Sequence, residues 1–350
     1  MLDYILKEKE INLNILKNKD RFPGKLFRKK VYRDVVIYAT GSSSNAAWAA
    51  QLYMEKNLGI PVYIKEPSIA LNYEKTWNED SLYLAISQGG SSASTISLVE
   101  QFEKRNIEIY TVTSNLKSPI AQKSNNILDI GMGIETVPYV TAGYTAIILL
   151  LWLISLDLAK NWGKLEEEDY CRELSKIEDT IFLADSVIHQ TNEWFKVYKE
   201  EFIRKDRFVF ISYGAGYGTA LEAETKFMEI LHKPAHGHEL EEYMHGPYLG
   251  LGRNDLLILL DPNGKLKDRM KLLRKFLDRH MDKTYLITSS HTGEQTQDLS
   301  LELNIDELLS PLLLTIPIHL LTYYLSVEKG INLDESYYPE FDDITGSKIY

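Results

Sequence analysis

A serine- and glycine-rich stretch, residues 87–95, lies between an apolar run and a helical pattern. The apolar run is Leu82 to Ile86, and the helical pattern extends from Ile96 to Phe102. A strand that turns onto a helix N-terminus through small residues leaves backbone N–H groups that can bind phosphate. Gly89 and Gly90 would let the backbone approach an anion closely. Hydroxyl groups are added by Ser87, Ser91, Ser92, Ser94 and Thr95. A plain serine- and glycine-rich connector is the alternative.

A second stretch, Ala220 to Pro247, concentrates ionisable side chains. The sequence predicts a helix from Thr219 to Leu231, whose core-facing apolar residues are Leu221, Phe227, Met228 and Ile230. Glu222, Lys226 and Glu229 have i, i+4, i+7 spacing and therefore share one face of this helix, which we expect to line an open cleft. Four of the eight histidines follow, namely His232, His236, His238 and His245. A carboxylate and a histidine could move a proton beside a sugar carbonyl and manage the ring oxygen. Two alternatives stay open: a solvated charged face, and a zinc site at the histidines, although HExxH and cysteine pairs are absent.

Composition narrows the class of protein. The 350 residues allow about two globular domains. The net charge of −11 argues against nucleic acid or an anionic membrane as the main partner. The single cysteine, Cys171, excludes an internal disulfide framework and favours a cytoplasmic location. Charges close to Met1 argue against a signal peptide.

One uncharged segment, Thr136 to Leu156, is long enough to span a bilayer. It contains Pro138 and Gly143, and only Ala146 to Ile154 is densely apolar. We therefore expect a buried helix of the core and no membrane partner.

The predicted strands are continuous apolar runs that alternate with helices, which is typical of parallel sheets covered on both faces. The pattern also repeats. Val35 to Ser44 matches Phe208 to Tyr217, and Ile107 to Asn115 matches Thr284 to Ser290. The sequence thus predicts an α/β protein with two doubly wound parallel-sheet domains in tandem. The predicted boundaries are an N-terminal helical segment at 1–30, a first domain at 31–160, a helical connector at 161–204, a second domain at 205–330 and a C-terminal tail at 331–350 that closes over the site.

The two copies differ at the turn that would bind phosphate. Asp261-Pro262-Asn263-Gly264 stands in the second copy where Ser87 to Gly90 stands in the first. Asp261 would repel a phosphate and Pro262 lacks an N–H, so we expect one phosphate site per chain. The glycines of residues 214–218 have the wrong spacing for a dinucleotide fingerprint, and no acidic residue ends the next strand as that motif requires. No nicotinamide or other cofactor is expected.

These stretches, taken together with residues 41–44, 135–145 and 305–330, resemble the double sugar isomerase (SIS) domain family. The similarity is to the isomerase half of glutamine–fructose-6-phosphate aminotransferases and to fructosamine 6-phosphate deglycases. It extends from about residue 30 to the end of the chain. The resemblance implies a flavodoxin-like SIS fold and a homodimer with shared active sites, in which a histidine completes the site of the neighbouring chain.

The resemblance also implies roles for individual residues. Glu229 would be catalytic together with His245. Phosphate would bind at positions matching Ser43, Ser87, Gln88, Gly89 and Ser92. Further contacts to the phosphosugar would come from Ser42, Glu135, Pro138, Glu222, Lys226 and Lys348. No metal ligands are implied.

Three departures from the family pattern bear on the reaction. The family's Ser-Gln-Ser-Gly loop is Ser87 to Gly90 here, so one hydroxyl contact is replaced by at most a backbone N–H. No glutaminase domain precedes the first strand, so glutamine is not expected as an ammonia source. The tail lysine of the aminotransferases is replaced by Gly346, with Lys348 two residues later.

These departures favour an enzyme that splits a fructosamine 6-phosphate into hexose 6-phosphate and a free amine. The reaction would proceed by proton transfer between C1 and C2 of the small-molecule substrate. One alternative is an amino-sugar or ketose–aldose phosphate isomerase without a glutaminase domain. The other is a non-catalytic phosphosugar sensor, in which Glu229 and His245 would have no chemical role.

Overall fold

The structure is a computed structural model that describes residues 1–19, 26, 31–290 and 295–350. The chain forms two compact units. The first unit comprises Glu10–Leu174 and Asp334–Tyr350, and the second comprises Met1–Lys9 and Ser175–Leu333. Within the predicted N-terminal segment, helix α1 spans Leu2–Lys17, while residues 20–25 and 27–30 lie outside the described residues.

The first unit contains a five-stranded parallel sheet in the order β2-β1-β3-β4-β5. Its strands are β1 (Val35–Tyr38), β2 (Val62–Lys65), β3 (Leu82–Ile86), β4 (Tyr110–Thr113) and β5 (Ile127–Asp129). All residues of β1, β3 and β4 are buried, which explains why these strands are continuous apolar runs. The strand order is that of flavodoxin-like doubly wound folds.

Helices connect these strands and cover the sheet. They are α2 (Ser42–Leu58), α3 (Pro67–Tyr73), α4 (Ala93–Lys104), α5 (Pro119–Lys123), α6 (Ala142–Asn161) and, in the tail, α13 (Phe341–Thr345). By length and composition α6 could cross a membrane, but 94% of its most apolar window is buried in the protein. This agrees with the predicted core helix, which begins at Ala142 rather than Thr136. Helix α6 packs against α2.

The stretch after α6 is helical, as the sequence predicts. Helix α7 spans Glu167–Phe182 and α8 spans Ala184–Ile203. The division between the two units falls inside α7, after Leu174.

The second unit repeats the topology of the first, with a parallel sheet in the order β10-β9-β8-β6-β7. Its strands are β6 (Phe208–Ser212), β7 (Ala235–Glu239), β8 (Leu256–Asp261), β9 (Tyr285–Thr288) and β10 (Leu299–Ser300). The helices that follow them in the chain are α9 (Gly216–Leu231), α10 (Leu240–Met244), α11 (Lys267–Leu277) and α12 (Pro311–Glu328). The prediction of two doubly wound α/β domains in tandem is confirmed.

Candidate functional site

In the first unit, two helix N-termini follow neighbouring strands. Helix α2 follows β1, α4 follows β3, and the carboxyl ends of these strands lie side by side at the point where the strand order reverses. Ligands of doubly wound folds bind at such a switch point. Neither helix has a side-chain capping bond or an acidic residue in its first turn. First-turn N–H groups have no partner within the helix. The N–H of Ala93 donates to the Ser347 carbonyl at 3.1 Å, and the other N–H groups at the two termini are suited to an anion.

Hydrogen bonds to the neighbouring strand hold the loop between β3 and α4. The backbone N–H of Ser92 donates to Ser87 Oγ at 3.4 Å, which closes the loop on itself. The Thr113 hydroxyl donates to the Gln88 carbonyl at 3.1 Å, and the Ser114 N–H donates to the same oxygen at 2.9 Å. The loop is therefore fixed in shape before any ligand arrives.

The two glycines of this loop have different roles. Gly90 has a φ of +78°, and a Cβ placed on it would lie 2.0 Å from Ser118 Oγ, so only glycine fits. A Cβ on Gly89 would meet no atom within 4 Å. Gly90 thus shapes the loop, whereas Gly89 leaves open space in front of it.

A cavity of about 270 Å³ lies at this end of the first sheet. It is lined by Thr40, Ser42, Ser43, Ile86, Ser87, Gln88, Gly89, Ser91, Ser92, Val140, Ser347 and Lys348. Seven of the residues predicted to bind the phosphosugar therefore meet at one cavity. Its polar lining is built from hydroxyl, amide and backbone groups, the donors that suit a phosphate.

The C-terminal tail supplies the cation among the described residues that line this cavity. Lys348 forms an antiparallel bridge with Ser92, and the Ile349 N–H donates to the Ser91 carbonyl at 2.8 Å. The Lys348 ammonium lies 3.1 Å from an oxygen of Asp342. Hydrogen bonds from Ser347, Tyr350 and Lys348 hold the pKa of Asp342 below its usual value, so it remains an anionic partner for the lysine.

Gly346 ends α13 in the left-handed conformation, with φ +64°. This backbone conformation favours glycine over any side chain at that position. A lysine at this place in the chain would be strained, whereas Lys348 reaches the cavity from extended backbone beside Ser92.

In the second unit, α9 carries the predicted acid–base residues. Lys226 lies 3.5 Å from Glu222 and donates a short hydrogen bond to Glu229. The prediction that all three line an open cleft is wrong in one respect, because the side chains of Glu222 and Lys226 are fully buried and only Glu229 is partly exposed, by a third. The prediction that Met228 packs into the core is also wrong, since it is 42% exposed.

The environment of Glu229 shifts its acidity. Protein atoms crowd its carboxyl, and this burial raises the pKa of Glu229, while the ammonium of Lys226 acts in the opposite direction. The net effect is a raised pKa, which brings the carboxylate closer to the range in which a general base works efficiently.

The predicted histidines lie on the edge strand β7 and on the segment after it. His245 is exposed at the end of α10, and its Nδ1 lies 2.7 Å from the Glu241 carbonyl. A carbonyl oxygen can only accept, so Nδ1 carries the proton and Nε2 is left for proton exchange. In the part of the chain that the structure describes, no hydrogen bond or ion pair joins His245 to Glu229.

His236 and His238 are the candidate ligands of the alternative zinc site. The rings of His236 and His238 lie 6.0 Å apart, and burial lowers the pKa of His238, with a further contribution from His236. Among the described residues no group of three or more His, Cys, Asp or Glu side chains could hold a metal ion.

The second sheet offers a poor phosphate site at the corresponding place. Asp261 ends β8 and accepts hydrogen bonds from the Tyr213 hydroxyl at 2.6 Å and from the Asn263 N–H at 2.8 Å. Its carboxylate would repel an anion, and Pro262 offers no donor. One phosphate site per chain, in the first unit, stays a prediction.

Comparison with known proteins identifies the family. A model of the SIS domain matches residues 30–156 and 201–327. The chain belongs to the SIS domain family. The matched stretches contain every strand that the structure describes in the two parallel sheets.

Individual relatives agree with this assignment. The glutamine–fructose-6-phosphate aminotransferase (isomerizing) of Bacteroides thetaiotaomicron is 26% identical over 306 residues, which are 86% of this chain and 49% of that protein. The chain thus spans about half the length of the curated relatives it matches.

Two solved structures are similar over nearly the whole chain. A Clostridium difficile protein assigned as a phosphosugar isomerase has a TM-score of 0.92 and 25% identity, covering 99% of this chain and 98% of that one. The C-terminal domain of glucosamine-fructose-6-phosphate aminotransferase from Francisella tularensis has a TM-score of 0.84 and 22% identity, covering 95% and 98%. The second likeness shows the fold alone.

Four residues predicted to touch the phosphosugar in this SIS protein do not line the cavity, namely Glu222 and Lys226 on α9 and, in the first unit, Glu135 and Pro138. Glu135 does not line the cavity, and its carboxylate accepts hydrogen bonds from the N–H groups of Thr141 and Ala142 at 3.0 Å each. It therefore caps α6. Pro138 is exposed and is also absent from the cavity lining. Their contact with a substrate stays a prediction.

Two buried residues beside Glu222, Lys226 and Glu229 are not among the residues predicted from the sequence. His319 on α12 and Glu8 on α1 are both almost wholly buried, and His319 lies against Glu222. The available signal was a single histidine within the apolar run Leu312 to Leu321, where an ionisable side chain needs a buried partner.

Proposed function

We propose that this SIS protein is a phosphosugar-processing enzyme that splits a fructosamine 6-phosphate into hexose 6-phosphate and a free amine. The observation that carries the proposal is the cavity at which two helix N-termini without side-chain caps, the serine hydroxyls and Lys348 converge. This is an anion site of the size of a phosphate group and part of a sugar. Membership of the SIS family supports a phosphosugar as the anion.

In the proposed reaction Glu229 removes the proton at C1, next to the C2 carbonyl of the open-chain ketosamine. The electron pair forms a C1–C2 double bond while the π bond of the C2 carbonyl breaks and its oxygen takes a proton. The nitrogen lone pair then forms a C1–N imine as the nitrogen loses its proton and C2 receives one. Water adds to this imine, and the amine departs as C1 becomes the aldehyde of hexose 6-phosphate. Lys226 stabilises the ionised Glu229, and His245 opens the sugar ring or protonates the departing amine.

The glycine at position 346 favours cleavage over amino-sugar synthesis. Its left-handed conformation accounts for the absence of a lysine at the family position, and a deglycase does not require that amine. An amino-sugar or ketose–aldose phosphate isomerase is the second candidate, since it begins with the same proton transfer. The similarity to an aminotransferase that is itself named isomerizing favours it.

A panel of phosphorylated and unphosphorylated ketosamines tests the proposal. We expect the purified protein to release hexose 6-phosphate and free amine in equal amounts from a fructosamine 6-phosphate, and neither from the unphosphorylated compound. Enzyme-coupled assay of hexose 6-phosphate, together with amine derivatisation, measures both products. Interconversion of ketose and aldose phosphates without amine release would favour the isomerase. Binding without turnover would favour the sensor.

We also propose that the enzyme acts in the cytoplasm as a homodimer with shared active sites. The support is the family resemblance and the exposed position of His245 on a polar segment. If His245 serves the neighbouring chain, a mixture of Glu229→Gln and His245→Ala chains should regain activity, because each mixed dimer contains one intact site. Light scattering would confirm the dimer, and mass spectrometry would confirm subunit exchange. Exchange without regained activity would assign both residues to one chain.

A further inference from the structure

A buried histidine lies beside the acid–base residues of the second unit, and the proposed reaction does not use it. His319 is fully buried on α12, which packs against α9. Its Nδ1 lies 3.5 Å from a carboxylate oxygen of Glu8, and its Nε2 lies 3.6 Å from one of Glu222. Glu8 is 1% exposed and Glu222 is fully buried. The imidazole thus sits between two buried carboxyl groups from α1 and α9.

This placement determines which form of the ring fits. A neutral imidazole has one N–H, so one of its nitrogens would turn a lone pair toward a carboxylate. The imidazolium has an N–H on both nitrogens and can face both carboxylates. The distances are those of ion pairs rather than close hydrogen bonds, so the attraction depends on charge.

The charges around the ring also favour the imidazolium form. Glu8, Glu222 and Glu229 are three carboxyl groups, and Lys226 is the cation that contacts two of them. A nearby cation stabilises a buried carboxylate. A protonated His319 places a positive charge between Glu8 and Glu222, 3.5 and 3.6 Å from their carboxylate oxygens.

Other elements that pack against α12 bring no nearer charge in the described part of the chain. Strand β9 has the sequence Tyr-Leu-Ile-Thr. Helix α8 contributes an ion pair between Lys199 and Glu328, at the far end of α12. The short turn at Glu307, before α12 begins, directs its carboxylate to the Lys265 N–H. Glu8 and Glu222 are therefore the charged groups that face the ring.

We propose that His319 is a positioning residue, whose buried positive charge engages Glu222 and so leaves Lys226 available to hold Glu229 in its ionised form. This role rests on the proposed function, in which Glu229 is the base. If His319 carried no charge, Glu222 would compete with Glu229 for the single ammonium of Lys226. Glu229 would then be harder to ionise, and its protonated fraction would grow.

Electrostatics favour the charged ring. Burial alone would lower the pKa of His319, but the carboxylates of Glu222 and Glu8 outweigh it, and the net pKa is raised above its ordinary value of 6.5. A raised pKa in the folded state means that the stabilising contribution is complete below about pH 6.5 and is lost as the pH rises through the folded value. The Tm of the wild type should therefore exceed that of His319→Gln by the largest margin at low pH.

The charge is measurable without any substrate. In long-range ¹⁵N NMR spectra of labelled protein, the His319 signals, assigned by their loss in His319→Gln, should remain those of imidazolium through neutral pH. Glu8→Gln should move the titration midpoint to lower pH, because one of the two facing carboxylates is removed. A ring that is neutral at pH 6 in the wild type would overturn the proposal, whether or not the protein turns over a ketosamine.

Enzyme kinetics test the effect on Glu229. In His319→Gln the acid limb of the kcat–pH profile should move upward by about half to one pH unit, so kcat falls roughly three- to tenfold on the acid side and recovers at higher pH. His189→Gln, on the exposed face of α8, is the matched control and should leave the profile in place. A uniform loss at every pH would assign His319 a packing role only and contradict the proposal. If the wild-type protein itself does not turn over a fructosamine 6-phosphate, the proposed function is contradicted instead.

Discussion

Replacing Glu229 with glutamine should lower kcat by about 10²–10⁴-fold with little change in substrate affinity. Glutamine keeps the shape of the side chain and can still accept a hydrogen bond from Lys226, but it cannot take a proton from carbon. Because burial raises the pKa of Glu229, wild-type activity should also decline on the acid side as this carboxylate becomes protonated. Steady-state kinetics across pH measure both effects.

Isotope exchange provides the sharper measurement. Wild-type enzyme in D₂O should place deuterium at C1 or C2 of the product, and Glu229→Gln should not. Glu200→Gln, an exposed position on α8, is the control for a neutralised carboxylate and should retain wild-type kinetics. Wild-type turnover by Glu229→Gln would mean that the base lies elsewhere, with Glu222 the next candidate.

Substituting alanine for Gly90 should weaken binding of a hexose 6-phosphate by at least about a hundredfold. The new Cβ would collide with the buried Ser118, and the alanine would have to adopt a positive φ. The loop that bears Gln88 and Gly89 must therefore move. Displacing two donors from a charged phosphate weakens the binding free energy by about 1.5–3 kcal/mol for each donor. Titration calorimetry measures the affinity.

Two substitutions in the same loop make this result specific. Gly89→Ala adds a methyl group where no protein atom lies within 4 Å, so it should leave the loop in place and weaken binding less than Gly90→Ala does. Ser87→Ala removes one hydroxyl and should cost roughly ten- to a hundredfold. Equal affinities for Gly90→Ala and wild type, with the fold intact by circular dichroism, would place the phosphate outside this loop.

Several features of the protein could be predicted because they depend on neighbouring residues. The apolar runs at 82–86 and 256–260 mark strands buried on both faces, and the small residues after Ile86 mark a turn onto a helix. The repeat between the halves predicts that both sheets share one topology, which the strand orders confirm. Two predictions about α9 were wrong: the helix begins at Gly216 rather than Thr219, and Met228 is exposed rather than packed in the core.

Local sequence patterns are enough to predict the fold class, the tandem repeat and the serine- and glycine-rich turn onto α4, since strands, turns and helix starts are encoded locally. Which distant groups meet depends on the tertiary structure. Pairing of β1 with β3 brings two helix N-termini to one cavity, and the tail returns to place Lys348 beside Ser92. Burial also depends on packing, which is why helical spacing places Glu222, Lys226 and Glu229 on one face without revealing that Glu222 and Lys226 are buried, with Glu222 against His319. Charge balance in a buried cluster involves residues from both ends of the chain, and no local pattern records it.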